Sequence, residues 1–481
     1  MKHSLIGLTL GIMIAMVGVA ELIPALIDFA HGHNNADDFF RCAVVSIFFG
    51  GGLIIVNSGG KPHLSLRQSF LLTTLSWVCL SVTAAMPLYF SDLDLSFTDA
   101  VFESVSGVTT TGSTVLSGLD EQSHGVLLWR SIIQWIGGIG IIAFAIVILP
   151  FLSIGGMQLF QTESSDKSDK ALPKTTDLVS ALVQIYGLLT LLCVITYYAL
   201  GMDFFDAVNH AMTTLSTGGY STHDASFGYF KSPAMQYAAS LFMLAGSIPF
   251  VLYVRFLYQG RFLFFKDEQF MALVYTLVAL TVVLSVWLWA SSPYSISESV
   301  QYSVFNIISV ITTTGYATTD YTLWGGFAVA FFFFLTFLGA CSGSTSGGIK
   351  MMRIVIVSKI LRRQIKKLIY PNGTFSIRYQ GRNIDNAVAL NVMAFLGLFC
   401  ASNVVLSVLL ALLGLDFETA ISGAATALAN VGPGIGNVIG PAGNFASLPD
   451  TAKWLLCAGM ILGRLEIMTI FVLFRREYWR G

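Results

Sequence analysis

The chain has 481 residues, of which 55 % are hydrophobic and only 11 % charged, with a mean hydropathy of +0.73. A soluble globular chain carries roughly 25 % charged residues, so these values exclude an ordinary soluble domain and indicate an integral membrane protein. The net charge of −1 names no partner by itself; the distribution of charge along the chain is the informative part.

Apolar segments of the ~20 residues needed to cross a bilayer fall at 4–29, 39–58, 68–90, 125–150, 178–200, 233–258, 269–291, 324–340, 388–413 and 452–474. The eighth continues past a glycine-rich break to residue 360. The first run carries Glu21 and Pro24 and has no small-x-small cleavage pattern, so it reads as a retained helix rather than a leader. The six cysteines lie singly in apolar segments and read as core-filling thiols, with no disulfide or metal spacing. His31, His33, His124, His210 and His223 do not form metal-ligand spacings either. Asn372-Gly373-Thr374 matches a glycosylation acceptor but falls on the side read below as cytoplasmic. No nucleotide-binding glycine motif and no nucleophile–base constellation is legible, so the chain reads as a non-enzyme that binds no cofactor of its own and no nucleic acid.

A short polar motif occurs four times between apolar spans: Thr110-Thr111-Gly112, Ser216-Thr217-Gly218, Thr313-Thr314-Gly315 and Asn430-Val431-Gly432. Aligned on these glycines the spacings are 106, 97 and 117 residues. Each copy has an acid 12 to 17 residues upstream, at Asp99, Asp206, Glu298 and Glu418. An acid at a helix start satisfies orphan N–H groups and complements the positive end of the dipole. The negative end then points at the glycine loop, which suits a cation. The third copy continues into Tyr316, giving the Thr-x-Gly-Tyr core of potassium-channel filters, where backbone carbonyls replace an ion's hydration shell. Carbonyls and hydroxyls without a ring of carboxylates favour a monovalent ion over Ca²⁺ or Mg²⁺.

The expected architecture is therefore an all-α integral membrane protein of four pseudo-fourfold helix–pore helix–helix repeats around a central ion pore. Its divisions are an extra helix pair at 1–58 and repeats at 59–150, 151–258, 259–385 and 386–481. Lys and Arg concentrate at 61–67, 167–174, 255–266, 350–382 and 475–480, which places both termini in the cytoplasm. The filter loops then face outward, and Asp320 reads as a charge at the outer mouth that concentrates cations.

Residues 339–350 contain Gly339, Gly343, Ser344, Thr345, Ser346, Gly347 and Gly348, poor helix material because glycine costs ~1 kcal/mol against alanine. They read as a mid-membrane loop below the filter that could occlude a pore, or as a kink packed against its neighbours. The corresponding helices of the other repeats read as unbroken. Arg464 lies inside the last span with Glu466 close by. It reads as an electrostatic barrier to cations, as half of a buried Arg–Glu pair, or as an arginine snorkelling to the interface. The basic run Arg353, Lys359, Arg362, Arg363, Lys366 and Lys367 is a positive-inside anchor, or a surface on which a cytoplasmic regulator docks.

Together the four loops, the Cys341–Gly348 run C-S-G-S-T-S-G-G and Arg464 resemble the superfamily of K⁺ transporters that contains the bacterial Trk and Ktr and the plant HKT proteins. The resemblance covers essentially the whole chain. It implies K⁺-selective uptake across the bacterial inner membrane, through a homodimer with one pore per subunit. It also implies a cytoplasmic TrkA-type ring that binds NAD, ADP or ATP in the chain's stead. The ion ligands it implies are backbone oxygens around Thr110, Thr111, Gly112, Ser216, Thr217, Gly218, Thr313, Thr314, Gly315, Asn430, Val431 and Gly432. A proton- or Na⁺-coupled K⁺ symporter is the alternative that these residues leave open.

Overall fold

The computed structural model describes residues 5–59, 65–148 and 175–480. Lys61 and the basic stretch 167–174 lie outside the described residues. The chain opens with a helical hairpin, α1 (Leu5–His31) and α2 (Asn35–Asn57). Four units of one plan follow: a long helix, a short helix, an extended loop and a second helix. The first unit is α3 (Leu66–Phe90), α4 (Phe97–Val108) and α5 (His124–Ala143). The second is α6 (Thr175–Ala199), α7 (Phe204–Leu215) and the pair α8 (Pro233–Ser247) and α9 (Phe250–Gln259). The third is α10 (Glu268–Ser291), α11 (Ile296–Ile311), α12 (Gly326–Thr336) and α13 (Met351–Ile369). The fourth is α14 (Asn386–Leu412), α15 (Phe417–Ala429) and α16 (Asp450–Arg464), with a short helical tail beyond. A two-residue hairpin, β1 (Arg378–Tyr379) against β2 (Arg382–Asn383), is the one sheet among the described residues.

The sequence dictates where the short helices begin. Ser96, Asp203, Ser295 and Asp416 each accept a hydrogen bond from a backbone N–H of the following turn, and Glu298 completes a capping box with Ser295. Asp99, Asp206, Glu298 and Glu418 all lie in first turns, as expected from their spacing. Small and hydroxyl residues let these helices sit in the middle of the molecule, and α4, α11 and α15 are buried without interruption from Ala100, Phe305 and Ser422 to their C-terminal ends. The outer helices carry the lipid-facing surface instead: Phe29 is 78 % and Phe48 74 % exposed. A multi-pass membrane protein results.

The expectation of ten spans needs correction. Among the described residues seven helices are continuous and apolar enough to cross a membrane, and two further spans are sharply bent. The pair α8–α9 turns by 86° at Ile248-Pro249, and α16 turns by 104° into Met468–Phe474. Segments 233–258 and 452–474 are thus broken helices, and the third unit is not unique in having a break. Proline has no N–H and collides with the preceding turn, which accounts for the first bend. At the second, Glu466 has a left-handed φ of 59°.

Candidate ion pathway

Each short helix ends in the same backbone figure. The N–H groups of Thr111, Gly218, Thr314 and Val431 donate to the carbonyls of Ser106, Thr213, Ser309 and Thr426, at 2.8, 2.9, 2.8 and 3.1 Å. Just before them, Thr110, Thr217, Thr313 and Asn430 are left-handed, with φ of 51°, 52°, 57° and 55°. Just after them come Gly112, Gly219, Gly315 and Gly432, also at positive φ. The second loop is therefore shifted by one residue from the alignment on Gly218: its equivalent glycine is Gly219, and Ser216 caps α7 instead. Two signals in the sequence carry this register. Thr217-Gly218-Gly219-Tyr220 repeats the Thr-x-Gly-Tyr of the third loop, and a hydroxyl residue stands six places before every structural glycine.

The four loops close on one another in a cycle. A Cβ built on Gly112 would come within 3.0 Å of the Gly218 carbonyl oxygen, on Gly219 of Thr314, on Gly315 of Val431, and on Gly432 of Thr111. Each glycine thus makes room for a carbonyl from the next unit, which only a residue without Cβ allows. All four glycines line one open cleft, together with Ser113, His223 and Asp224. Below the ring, the Thr110 hydroxyl and the Asn430 side-chain carbonyl are buried without a hydrogen-bond partner. Buried polar oxygens are ordinarily paired, and two orphans at equivalent positions suit a cation ligand. Asp320 is not in the cleft; its carboxylate accepts the Thr322 N–H at 2.9 Å, capping a short turn. The cleft acid is Asp224, which holds the N–H groups of Gly118 and Leu119.

Behind the loops lies a buried polar network that the spacing of acids did not reveal. Glu103, one turn after Asp99, is fully buried and pairs with Arg130 at 2.9 Å. Arg130 also donates to the Ser221 carbonyl at 2.9 Å and stacks 4.2 Å above the Tyr220 ring. Tyr316 of the third loop bonds Thr213 at 2.5 Å. At the mouth of the cleft His223 bridges Asp206 at 3.0 Å and Asp120 at 2.5 Å. Burial lowers the His223 pKa, but hydrogen bonds and charge from the two carboxylates outweigh it and hold the ring above its ordinary 6.5. Burial raises Asp120, and His223 together with the Asp224 N–H lowers it further, to below 3.8. Among the described residues no group of three or more His, Cys, Asp and Glu side chains could hold a metal ion.

The glycine-rich loop sits directly under the ring. It leaves and rejoins at a parallel bridge between Leu338 and Ile349, with Gly348 packed on Gly339. The Gly347 N–H donates to the Thr313 hydroxyl at 2.7 Å, and a Cβ on Gly347 would overlap the Ala429 carbonyl. The bend of α8–α9 clamps it from the side. Thr345 donates twice to the Gly246 carbonyl, the Ser346 hydroxyl meets that of Ser247 at 3.0 Å, and Gly343 accepts from the Phe250 N–H at 2.9 Å. Ser344 folds back onto the Cys341 carbonyl at 2.7 Å. Arg464 lines the same narrow cavity as Ser344, Ser346 and Gly347. Its three guanidinium nitrogens are buried without a hydrogen-bond partner among the described residues. Glu466 pairs with Arg353, not with Arg464, so the Arg–Glu alternative applies to a different arginine.

Comparison with known proteins agrees with this geometry. A family model described as TrkH, cation transport protein, matches residues 35–480. The chain is 51 % identical to the Trk system potassium uptake protein TrkI of Halomonas elongata, over 86 % of this chain and 84 % of that one. It is 35 % identical to the Trk system potassium uptake protein TrkH of Escherichia coli K12, over 98 % of both. The crystal structure of the potassium transporter TrkH from Vibrio parahaemolyticus superposes with a TM-score of 0.91 at 34 % identity, covering 99 % of each chain. With its repeated loops, its glycine-rich segment and this match over nearly its whole length, the chain belongs to the TrkH family of cation transport proteins, and is a transporter rather than an enzyme.

Proposed function

We propose that this chain carries K⁺ into the bacterial cell across the inner membrane, through a filter formed by the ring of Thr111, Gly218, Thr314 and Val431 carbonyls. The carrying observation is the closed cycle in which each of the four glycines admits the carbonyl of the next unit. Such oxygens replace a monovalent ion's hydration shell, and the relatives are named as potassium uptake proteins. The threonine and asparagine one step below supply further oxygens. Residues 341–348 close the path beneath the filter, and the unpartnered Arg464 charge opposes cations there. The bend between α8 and α9 holds the plug, so a cytoplasmic regulator opens the path by moving that bend or α13. A nucleotide-binding ring of the TrkA type, a homodimer with one pathway per subunit, and cytoplasmic termini complete the proposal.

Reconstitution in K⁺-loaded liposomes tests it. Uptake of ⁸⁶Rb⁺ should be blocked by external K⁺ and not by equal Na⁺. Gly315→Ala should lower it at least about tenfold, because φ is 81° there and the added Cβ meets the Val431 carbonyl. Wild-type uptake by a folded Gly315→Ala protein would refute the filter.

A further inference from the structure

The second loop differs from the other three at the ring itself. Where they carry Thr111, Thr314 and Val431, it carries Gly218, followed by Gly219. A Gly-Gly pair is the most compliant backbone available, so this quadrant should be the one that deforms around a smaller ion. The side-chain space missing at Gly218 is not empty. A Cβ there would overlap the carboxamide of Gln134, which reaches in from α5. Gln134 is 0 % exposed. Its Nε2 donates to the Gly218 carbonyl at 2.8 Å, and its Oε1 accepts the Tyr220 N–H at 3.1 Å. One planar amide therefore grips the loop on both sides of Gly219. Among the described residues no side chain donates to the ring carbonyls of Thr111, Thr314 or Val431, so the tether exists only where the side chain is missing. One turn earlier on the same helix, Arg130 holds Ser221 and Tyr220 and is neutralised by Glu103, which fixes the helix that presents the amide.

We infer that Gln134 is a positioning residue that sets discrimination between K⁺ and Na⁺, by anchoring the Gly218 carbonyl from behind so that it cannot follow a smaller ion inward. The inference rests on the filter reading above. A carbonyl oxygen has two lone pairs, so it can accept from Gln134 and still face an ion. Losing a hydrogen bond of this kind changes an equilibrium roughly three- to tenfold.

Gln134→Ala and Gln134→Met separate the two things the amide does, since methionine fills the space and makes neither bond. The readout is the Na⁺ concentration that halves ⁸⁶Rb⁺ uptake into liposomes, together with the bi-ionic K⁺/Na⁺ reversal potential. Both variants should lose K⁺ preference by roughly three- to tenfold, with Gln134→Met no better than Gln134→Ala. A wild-type preference in Gln134→Met would overturn the inference and reduce Gln134 to a space filler. If Gln134→Ala does not fold, Gln134→Met decides alone. Gly315→Ala in the same assay separates the failures: if it too leaves uptake unchanged, the filter reading falls, and if it alone acts, only the role of Gln134 falls.

Discussion

Thr110, Thr217 and Thr313 hold left-handed backbone that β-branched residues ordinarily avoid, and such conformations cost of order 1–3 kcal/mol each and gather at functional sites. Asn430, the fourth, is a residue type that tolerates it better. Thr313 has a second task, because its hydroxyl accepts the Gly347 N–H from the glycine-rich loop proposed above as the plug. Thr313→Val keeps the shape and removes that acceptor. We expect a higher resting ⁸⁶Rb⁺ flux, several-fold, as the plug loosens by about 1 kcal/mol; an unchanged flux would show that this bond does not latch the plug. The two buried arginines near the plug should behave in opposite ways. Arg464→Ala removes an unpartnered charge and should raise flux with little change in melting temperature. Arg353→Ala strands the buried Glu466 carboxylate and should cost about 3–5 kcal/mol, read as a large fall in melting temperature. The opposite ranking would mean that the two roles are exchanged.

The helical elements explain why some of this was legible in the chain and some was not. The four acid–helix–glycine segments declare themselves because capping residues, small residues and the glycine recur at a near-constant spacing. Register within the second loop is ambiguous by one residue in the sequence because Gly218 and Gly219 are adjacent and only the hydroxyl at Thr213 and the tyrosine at Tyr220 distinguish them. The bend of α8–α9 is encoded by Gly246-Ser247-Ile248-Pro249, too short to interrupt a hydropathy window. The Arg353–Glu466 and Arg130–Glu103 pairs join residues 113 and 27 apart, and no local pattern announces them. The outer loops offer a test at this scale. The raised His223 pKa means that its contribution is complete below pH 6.5 and is lost as pH rises through the higher folded value. Asp120, depressed, contributes fully above 3.8 and loses its share as pH falls through its lower folded value. The cluster is thus strongest between these limits. His223→Asn should flatten the decline in melting temperature above pH 6.5, and a decline as steep as wild type would remove the cluster from the account.

At the scale of the molecule, four non-identical units make one ring, and its asymmetry is chemical rather than topological. The backbone figure is constant, whereas its support differs: Gln134 behind Gly218, the Ser113 hydroxyl donating to the Gly432 carbonyl at 2.8 Å, and Asn430 bonding Thr111 at 3.0 Å. A filter-type path should follow the K⁺ Nernst potential in a reversal-potential measurement, and a shift with an imposed proton or Na⁺ gradient would identify a coupled symporter instead.

The opening hairpin is tied to the ring of loops through α5. Asp28 of α1 is fully buried and grips the head of α5, accepting the Gly125 N–H at 2.7 Å and the Ser123 hydroxyl at 3.0 Å. Because α5 also carries Arg130 and Gln134, a pair of helices on the rim is mechanically in series with the innermost oxygens. A change in bilayer thickness, which spanning helices answer by tilting, should then reach α5 through this carboxylate and through Asn35, whose Nδ2 donates to the Ser123 hydroxyl at 3.2 Å, and Asp28→Asn should weaken that link.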